Sequence, residues 1–132
     1  MKRSRDRAAT LPPLVDRVGL GLTGLALLVL TVLLLIPGNG GPGPVPHLDK
    51  LYHFIGFFGL VLPYALVRPH NAFAAAAVAT VFGGAIELIQ PSFGRGAEWG
   101  DALANMLGAL AAALAGRAMH PRLARWLVAR PD

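Results

Sequence analysis

Six polar side chains lie in stretches of the chain that are otherwise apolar, and they form three pairs. The pairs are Asp49 with His53, Glu87 with Gln90, and Asp101 with Asn105. Residues three or four apart share one face of a helix. Carboxylates and an imidazole on shared faces can carry out acid–base chemistry or hold a ligand. Since ionisable groups are costly in lipid, such pairs in membrane helices indicate a functional site or polar contacts between helices.

The composition is that of a membrane protein. The chain has 132 residues, which suits one domain, and it is 55% hydrophobic and only 14% charged. Soluble domains carry about 25% charged residues. The net charge is +5, but the basic residues cluster beside apolar segments instead of covering a folded face, so no nucleic-acid partner is predicted. The absence of cysteine excludes disulfides and cysteine metal sites.

The apolar segments predict an all-α bundle of four transmembrane helices. The membrane domain spans residues 18–119, between basic tails at 1–17 and 120–132, and a Pro/Gly linker at 37–46 separates the first two helices. The first segment is longer than a signal-peptide core, so it is predicted to be an uncleaved anchor. The four helices are expected at about 18–36, 48–67, 71–90 and 100–119.

The distribution of Lys and Arg predicts the orientation in the membrane. The tails and Arg68 carry ten basic residues, and the other side carries only Lys50 and Arg95. By the positive-inside rule both termini are cytoplasmic, in a multi-pass protein of the inner (cytoplasmic) membrane. The polar pairs then lie at the outer-leaflet ends of helices two, three and four, where we expect them to meet.

Small residues follow each polar pair along its helix face, and they predict close helix packing in lipid. They are Gly56, Thr80, Gly83, Ala104, Gly108 and Ala112. The loop at 91–100 adds Arg95, which can pair with Glu98 or Asp101 or bind an anionic group such as phosphate. Trp99 in the same loop is typical of the aromatic belt at a membrane interface.

Three runs of sequence resemble the VanZ-like family: DKLYHFIGFFGL from Asp49, IELIQPSFGR from Ile86 and DALANMLGAL from Asp101. The resemblance covers about residues 48–116. It implies a small multi-span membrane protein related to the teicoplanin-resistance accessory protein. The family's polar signature falls on Asp49, Lys50, His53, Glu87, Gln90, Arg95, Asp101 and Asn105.

One hypothesis is a site that binds or modifies a lipid-linked or cell-envelope precursor, with a contribution to glycopeptide resistance. His53, Asp49 and Glu87 would be its catalytic residues, with His53 as general acid or base. The substrate would be bound by Lys50, Gln90, Arg95, Asp101 and Asn105. Asp49, His53 and Glu87 are suitable ligands for a divalent cation, but there is no compact metal motif, so no metal or cofactor is assigned.

The alternative hypothesis is a non-catalytic membrane scaffold in which the same residues clamp the helices together. Interhelical hydrogen bonds in lipid contribute roughly 0.6–2 kcal/mol each. A carrier is disfavoured because the cytoplasmic halves of the segments contain no chain of ionisable residues. The sequence alone does not decide whether the protein is an enzyme or what its oligomeric state is.

Overall fold

The computed structural model describes residues 11–37 and 48–128. Within these ranges the chain forms four α-helices, two short 3-10 turns and no strand. The helices are α1 (Pro13–Leu35), α2 (Leu48–Val67), α3 (Ala72–Ile89) and α4 (Trp99–Val128). The 3-10 turn Pro69–Asn71 joins α2 to α3, and the turn Gln90–Phe93 follows α3. The predicted all-α bundle of four helices is confirmed.

All four helices are long and apolar enough to cross a membrane. Many of their large apolar side chains point away from the bundle, including Leu28, Val81 and Leu88, which are 63%, 74% and 79% exposed. In water such a surface would be unfavourable, whereas lipid tails solvate it. A multi-pass membrane protein is therefore the architecture that this surface fits.

Helix α2 lies at the centre of the bundle, packed most extensively against α4 and also against α1 and α3. Its buried side chain Phe57 lies in the core beside alanines such as Ala109 of α4. The approach of α2 and α4 depends on two glycines of α4. A Cβ atom at Gly108 would overlap the backbone carbonyl of Phe54, and one at Gly116 would overlap Ala65. The predicted role of small residues in helix packing thus holds at Gly108.

The helix bounds differ from the predicted ones mainly at α1 and α4. Helix α1 begins at Pro13, where proline suits the first helical turn. The structure corrects the predicted end of the last helix near residue 119, because α4 continues through Pro121 to Val128. The continuation packs against the bundle, as the buried Ala124 shows. The predicted linker and the outer parts of both tails lie outside the described residues.

The end of the bundle that holds Arg68 has its own polar contacts. Arg68 donates two hydrogen bonds to the Asp16 carboxylate, at 2.9 and 2.7 Å. Arg117 donates to the Pro69 carbonyl at 2.9 Å, and a ring nitrogen of His120 lies 2.7 Å from the Leu66 carbonyl oxygen. These contacts join α1, α4 and the turn between α2 and α3 at the end opposite the three polar pairs.

We expect Gly108→Ala to lower the thermal midpoint in detergent, because the added methyl group meets a backbone carbonyl that cannot move alone. Overpacking of this kind costs about 1–3 kcal/mol. The matched control is Gly84→Ala, since a Cβ there meets nothing within 4 Å. Equal midpoints for the two variants would contradict the close approach of α2 and α4.

Candidate functional site

His53 lies buried between two carboxylates at the end of the bundle where α2 and α4 begin and α3 ends. The exposed fractions are 4% for His53, 6% for Glu87 and 6% for Asp101. Nδ1 of His53 is 2.9 Å from Oδ1 of Asn105 and 3.7 Å from Oε1 of Glu87. Nε2 of the same ring is 3.6 Å from Oδ2 of Asp101. Residues from three helices therefore surround one imidazole.

Asn105 fixes the imidazole in one orientation. With Oδ1 as the nearer amide atom, Asn105 accepts from the Nδ1–H tautomer of His53, and Nδ2 of Asn105 is buried without a hydrogen-bond partner in the described chain. Asn105 itself is fully buried, and it fits because Gly83 of α3 has no side chain. A Cβ at Gly83 would lie 2.8 Å from Nδ2 of Asn105 and 2.9 Å from Phe57.

Lys50 lies above this buried layer and binds three carboxylates. Its Nζ is 2.7 Å from Glu98, 3.2 Å from Asp49 and 3.3 Å from Oδ1 of Asp101. Gly100 makes room for it, because a Cβ at that position would lie 2.5 Å from the Lys50 chain. The Lys50 ammonium thus neutralises part of the negative charge at this end of the bundle.

The loop between α3 and α4 is attached to the buried layer through Glu98. The backbone N–H of Glu98 donates to Oε2 of Glu87 at 3.2 Å. The carbonyl of Glu98 accepts from the N–H of Asp101 at 3.0 Å, in the first turn of α4. Glu98 was considered from sequence only as a partner of Arg95 and was not predicted as a site residue, because a single acidic loop residue has no periodicity to follow.

Gln90 connects α1 to the site. Its side chain is 1% exposed, and Nε2 donates at 3.0 Å to the carbonyl oxygen of Leu34. Leu34 is in the last turn of α1, where carbonyls lack partners within the helix. Gln90 therefore acts at least as a polar cap for α1, in addition to the substrate-binding role predicted for it.

Asp49 and Arg95 lie at the edge of the site. Asp49 contacts Lys50, and among the described residues it makes no contact with His53, although the two share a helix face. Arg95 is partly exposed, and in the described ranges its guanidinium makes no ion pair with Glu98 or Asp101, since Lys50 binds both. The guanidinium acts on the Glu87 carboxylate only through its charge, so its planar set of donors is available to an anion.

Two groups of side chains could hold a cation. His53, Glu87 and Asp101 each offer one ligand atom, and these atoms lie within 4.8 Å of one another. Asp49, Glu98 and Asp101 form a second group, but the Lys50 ammonium already binds these three carboxylates. The buried group differs from the set considered from sequence, because Asp101 replaces Asp49.

Comparison with known families decides the assignment. The model of the VanZ/LLP1 family matches residues 14–120 of the chain. The chain belongs to the VanZ/LLP1 family. The match includes α1 as well as the three helices that carry the resemblance, so it covers residues from all four helices. No curated protein and no solved structure matches the chain.

In this VanZ protein we expect Lys50→Gln to lower the thermal midpoint, because three carboxylates lose their shared cation. The deficit relative to the parent should shrink between pH 7.5 and pH 5, since protonation of a carboxylate relieves the repulsion. Midpoints measured across this range in detergent check it. Arg122→Gln is the control, because Arg122 is exposed and contacts only the Ala118 carbonyl in the described chain. A deficit independent of pH would contradict the electrostatic role.

Proposed function

We propose that this VanZ protein binds the anionic head group of a lipid-linked cell-envelope precursor at the outer leaflet of the inner membrane. The observation that carries the proposal is Arg95, whose guanidinium makes no hydrogen bond or ion pair in the described chain. Its charge acts on Glu87, a member of the buried cluster of one imidazole and two carboxylates. A cation with unused hydrogen-bond donors next to acid–base groups suits a ligand that brings a phosphate into the site. The Lys and Arg distribution supports the outer-leaflet placement.

In this proposal Arg95 binds the head group and His53 acts on it. A guanidinium can donate two parallel hydrogen bonds to a phosphate. Lys50 contributes less than the sequence suggested, because its ammonium is shared by three carboxylates. His53 has Nδ1–H held by Asn105, so Nε2 is the nitrogen that accepts or returns a proton as general base or acid. Glu87 and Asp101 stabilise the imidazolium formed in that step.

The membrane position of the site favours a lipid-linked ligand over a free one. The polar cluster is formed by the ends of α2, α3 and α4, and apolar side chains beside it face outward, including Leu51, Ile55 and Leu88. A ligand whose chain lies among these side chains presents its head group at the depth of His53. A contribution to glycopeptide resistance follows if the precursor is one on which the drug acts.

The test measures binding of a polyprenyl phosphate to the detergent-purified protein, with native mass spectrometry as the method of detection. We expect Arg95→Gln to raise Kd at least about tenfold, which corresponds to about 1.4 kcal/mol, or one charge-assisted hydrogen bond. Arg122→Gln, an exposed cation elsewhere on α4, should leave Kd unchanged. Equal affinity of the parent and Arg95→Gln would reject the proposal.

The alternative, a scaffold whose polar residues clamp the helices, is favoured by two buried contacts. The His53–Asn105 contact joins α2 to α4, and the contact from Gln90 to the Leu34 carbonyl joins the turn after α3 to α1. Both fit interhelical hydrogen bonds in lipid. The two accounts differ in what they expect of the Glu87 charge.

The variant Glu87→Gln distinguishes the ligand-site hypothesis from the clamp hypothesis, because it keeps the shape of the side chain and removes its charge. We expect an unchanged or raised thermal midpoint, since Oε1 of Glu87 is buried without a hydrogen-bond partner among the described residues. Functional groups are often retained at a cost to stability. A midpoint that falls by many degrees would instead support the clamp. Asn105→Ala is the comparison, as it removes a made hydrogen bond and should destabilise by about 1–3 kcal/mol.

A further inference from the structure

We propose that His53, Glu87 and Asp101 form a binding site for a single divalent transition-metal ion of the Zn²⁺ or Mn²⁺ type. The three residues come from α2, α3 and α4, and each is at least nine-tenths buried. One nitrogen and two carboxylate oxygens are a donor set that such ions accept. The metal site rests on this geometry alone and does not require the proposed function.

The spacing of one pair of ligand atoms, from His53 and Asp101, fits a shared ion. Nε2 of His53 and Oδ2 of Asp101 are 3.6 Å apart, Nδ1 of His53 and Oε1 of Glu87 are 3.7 Å apart, and one ligand atom from each of the three residues lies within 4.8 Å of the others. Two ligands that each lie about 2.1 Å from an ion are roughly 3.4–3.6 Å apart at tetrahedral to trigonal angles. At 3.6 Å the nitrogen and oxygen are too far apart for a hydrogen bond with each other. The distance between Nε2 and Oδ2 is the one expected for two ligand atoms bound to the same metal ion.

The state of the imidazole supports the same conclusion. With Nδ1–H donated to Asn105, the neutral ring presents the lone pair of Nε2 toward the Asp101 carboxylate. A lone pair facing a buried anion is unfavourable unless a cation lies between them or the ring takes up a second proton. Histidine ligands to metals commonly donate their other N–H to an oxygen, as His53 does to Asn105.

Each carboxylate has one oxygen anchored and one oxygen free. Oδ1 of Asp101 is held by the Lys50 ammonium at 3.3 Å, which leaves Oδ2 for the ion. Oε2 of Glu87 accepts from the N–H of Glu98 at 3.2 Å. Oε1 of Glu87 is buried and has no hydrogen-bond partner in the described chain. A buried carboxylate oxygen without a partner is costly, and coordination would supply the missing partner.

The ion would also contribute to head-group binding, a step that rests on the proposed function. Three protein ligands leave a coordination position open, as in catalytic zinc sites. A phosphate oxygen of the head group can take this position while Arg95 binds another. With the ion present His53 would be a ligand and would not act as a general acid or base, so the site would bind the head group through the ion and Arg95.

The test uses the full-length protein in detergent, stripped with a chelator and then titrated with Zn²⁺ or Mn²⁺ in equilibrium dialysis. We expect one ion per chain and a rise in thermal midpoint, since a ligand bound only by the folded state stabilises it. Mg²⁺ should bind at least about tenfold more weakly, because it favours oxygen ligands and keeps its waters. Failure of both transition ions to bind would overturn the proposal.

Two variants locate the ion. Glu87→Gln should lose the metal-dependent rise in midpoint and raise Kd at least about tenfold, while its own metal-free midpoint shows that it folds. Asp16→Asn is the control, a carboxylate at the opposite end that should bind the metal like the parent. Unchanged binding in Glu87→Gln, or loss in Asp49→Asn alone, would place the ion elsewhere and reject the site.

A second measurement, by absorption spectroscopy, distinguishes a metal-bound His53 from a protonated His53. With Co²⁺ as the probe, nitrogen and oxygen ligation gives a visible absorption band, which should vanish in His53→Gln. If His53 is instead held as an imidazolium between its carboxylates, no band appears in the parent, and the proposal fails. Polyprenyl phosphate binding through Arg95 is measured on metal-free protein, so that failure of the metal site and failure of the proposed function are distinguishable.

Discussion

The burial of one imidazole and two carboxylates at the end of an apolar bundle is the constraint on which the rest of the site depends. Charges removed from water are expensive, and partners must come from the protein. The structure supplies them from every side: Asn105 for Nδ1 of His53, the Glu98 N–H for Glu87, and Lys50 for Asp101. Since these partners lie on α2, α4 and the loop before α4, holding the charges also fixes how those elements meet.

Close packing and polar contacts depend on each other in this bundle. Asn105 reaches His53 because Gly83 leaves space for it, and Lys50 reaches Asp101 past Gly100. Helix α1 is joined to the site by a single buried amide, since Gln90 binds the carbonyl of Leu34. The apolar bodies of the helices supply the membrane span, but their contacts specify little by themselves because lipid is equally apolar. The glycines and the polar ends therefore specify the arrangement.

The sequence predicted what depends on periodicity and composition. The lengths of α2 and α3 follow from their apolar runs, and helical spacing identified the buried residues His53, Glu87 and Asp101. The sequence could not predict which side chains pair, because pairing between helices depends on how each helix is rotated about its own axis. Asp49 therefore contacts Lys50 instead of His53. The length of α4 was underestimated, since a proline and arginines after residue 119 resemble a helix end, whereas packing at Ala124 continues the helix.

The two ends of the bundle differ in how well their charges balance. At one end Asp16 and Arg68 form a matched pair with two hydrogen bonds, which requires nothing further. At the other end Asp49, Glu98 and Asp101 share one ammonium, and Glu87 lies outside these ion pairs. The guanidinium of Arg95 makes no hydrogen bond or ion pair in the described chain. A purely structural network would be expected to pair Arg95 with Glu87, the carboxylate on which its charge acts. The excess negative charge of the buried carboxylates would be stabilised by a cation or a proton. The positive charge of Arg95 at the edge of the site would be stabilised by an anion. Both are properties of a site that is completed by ligands.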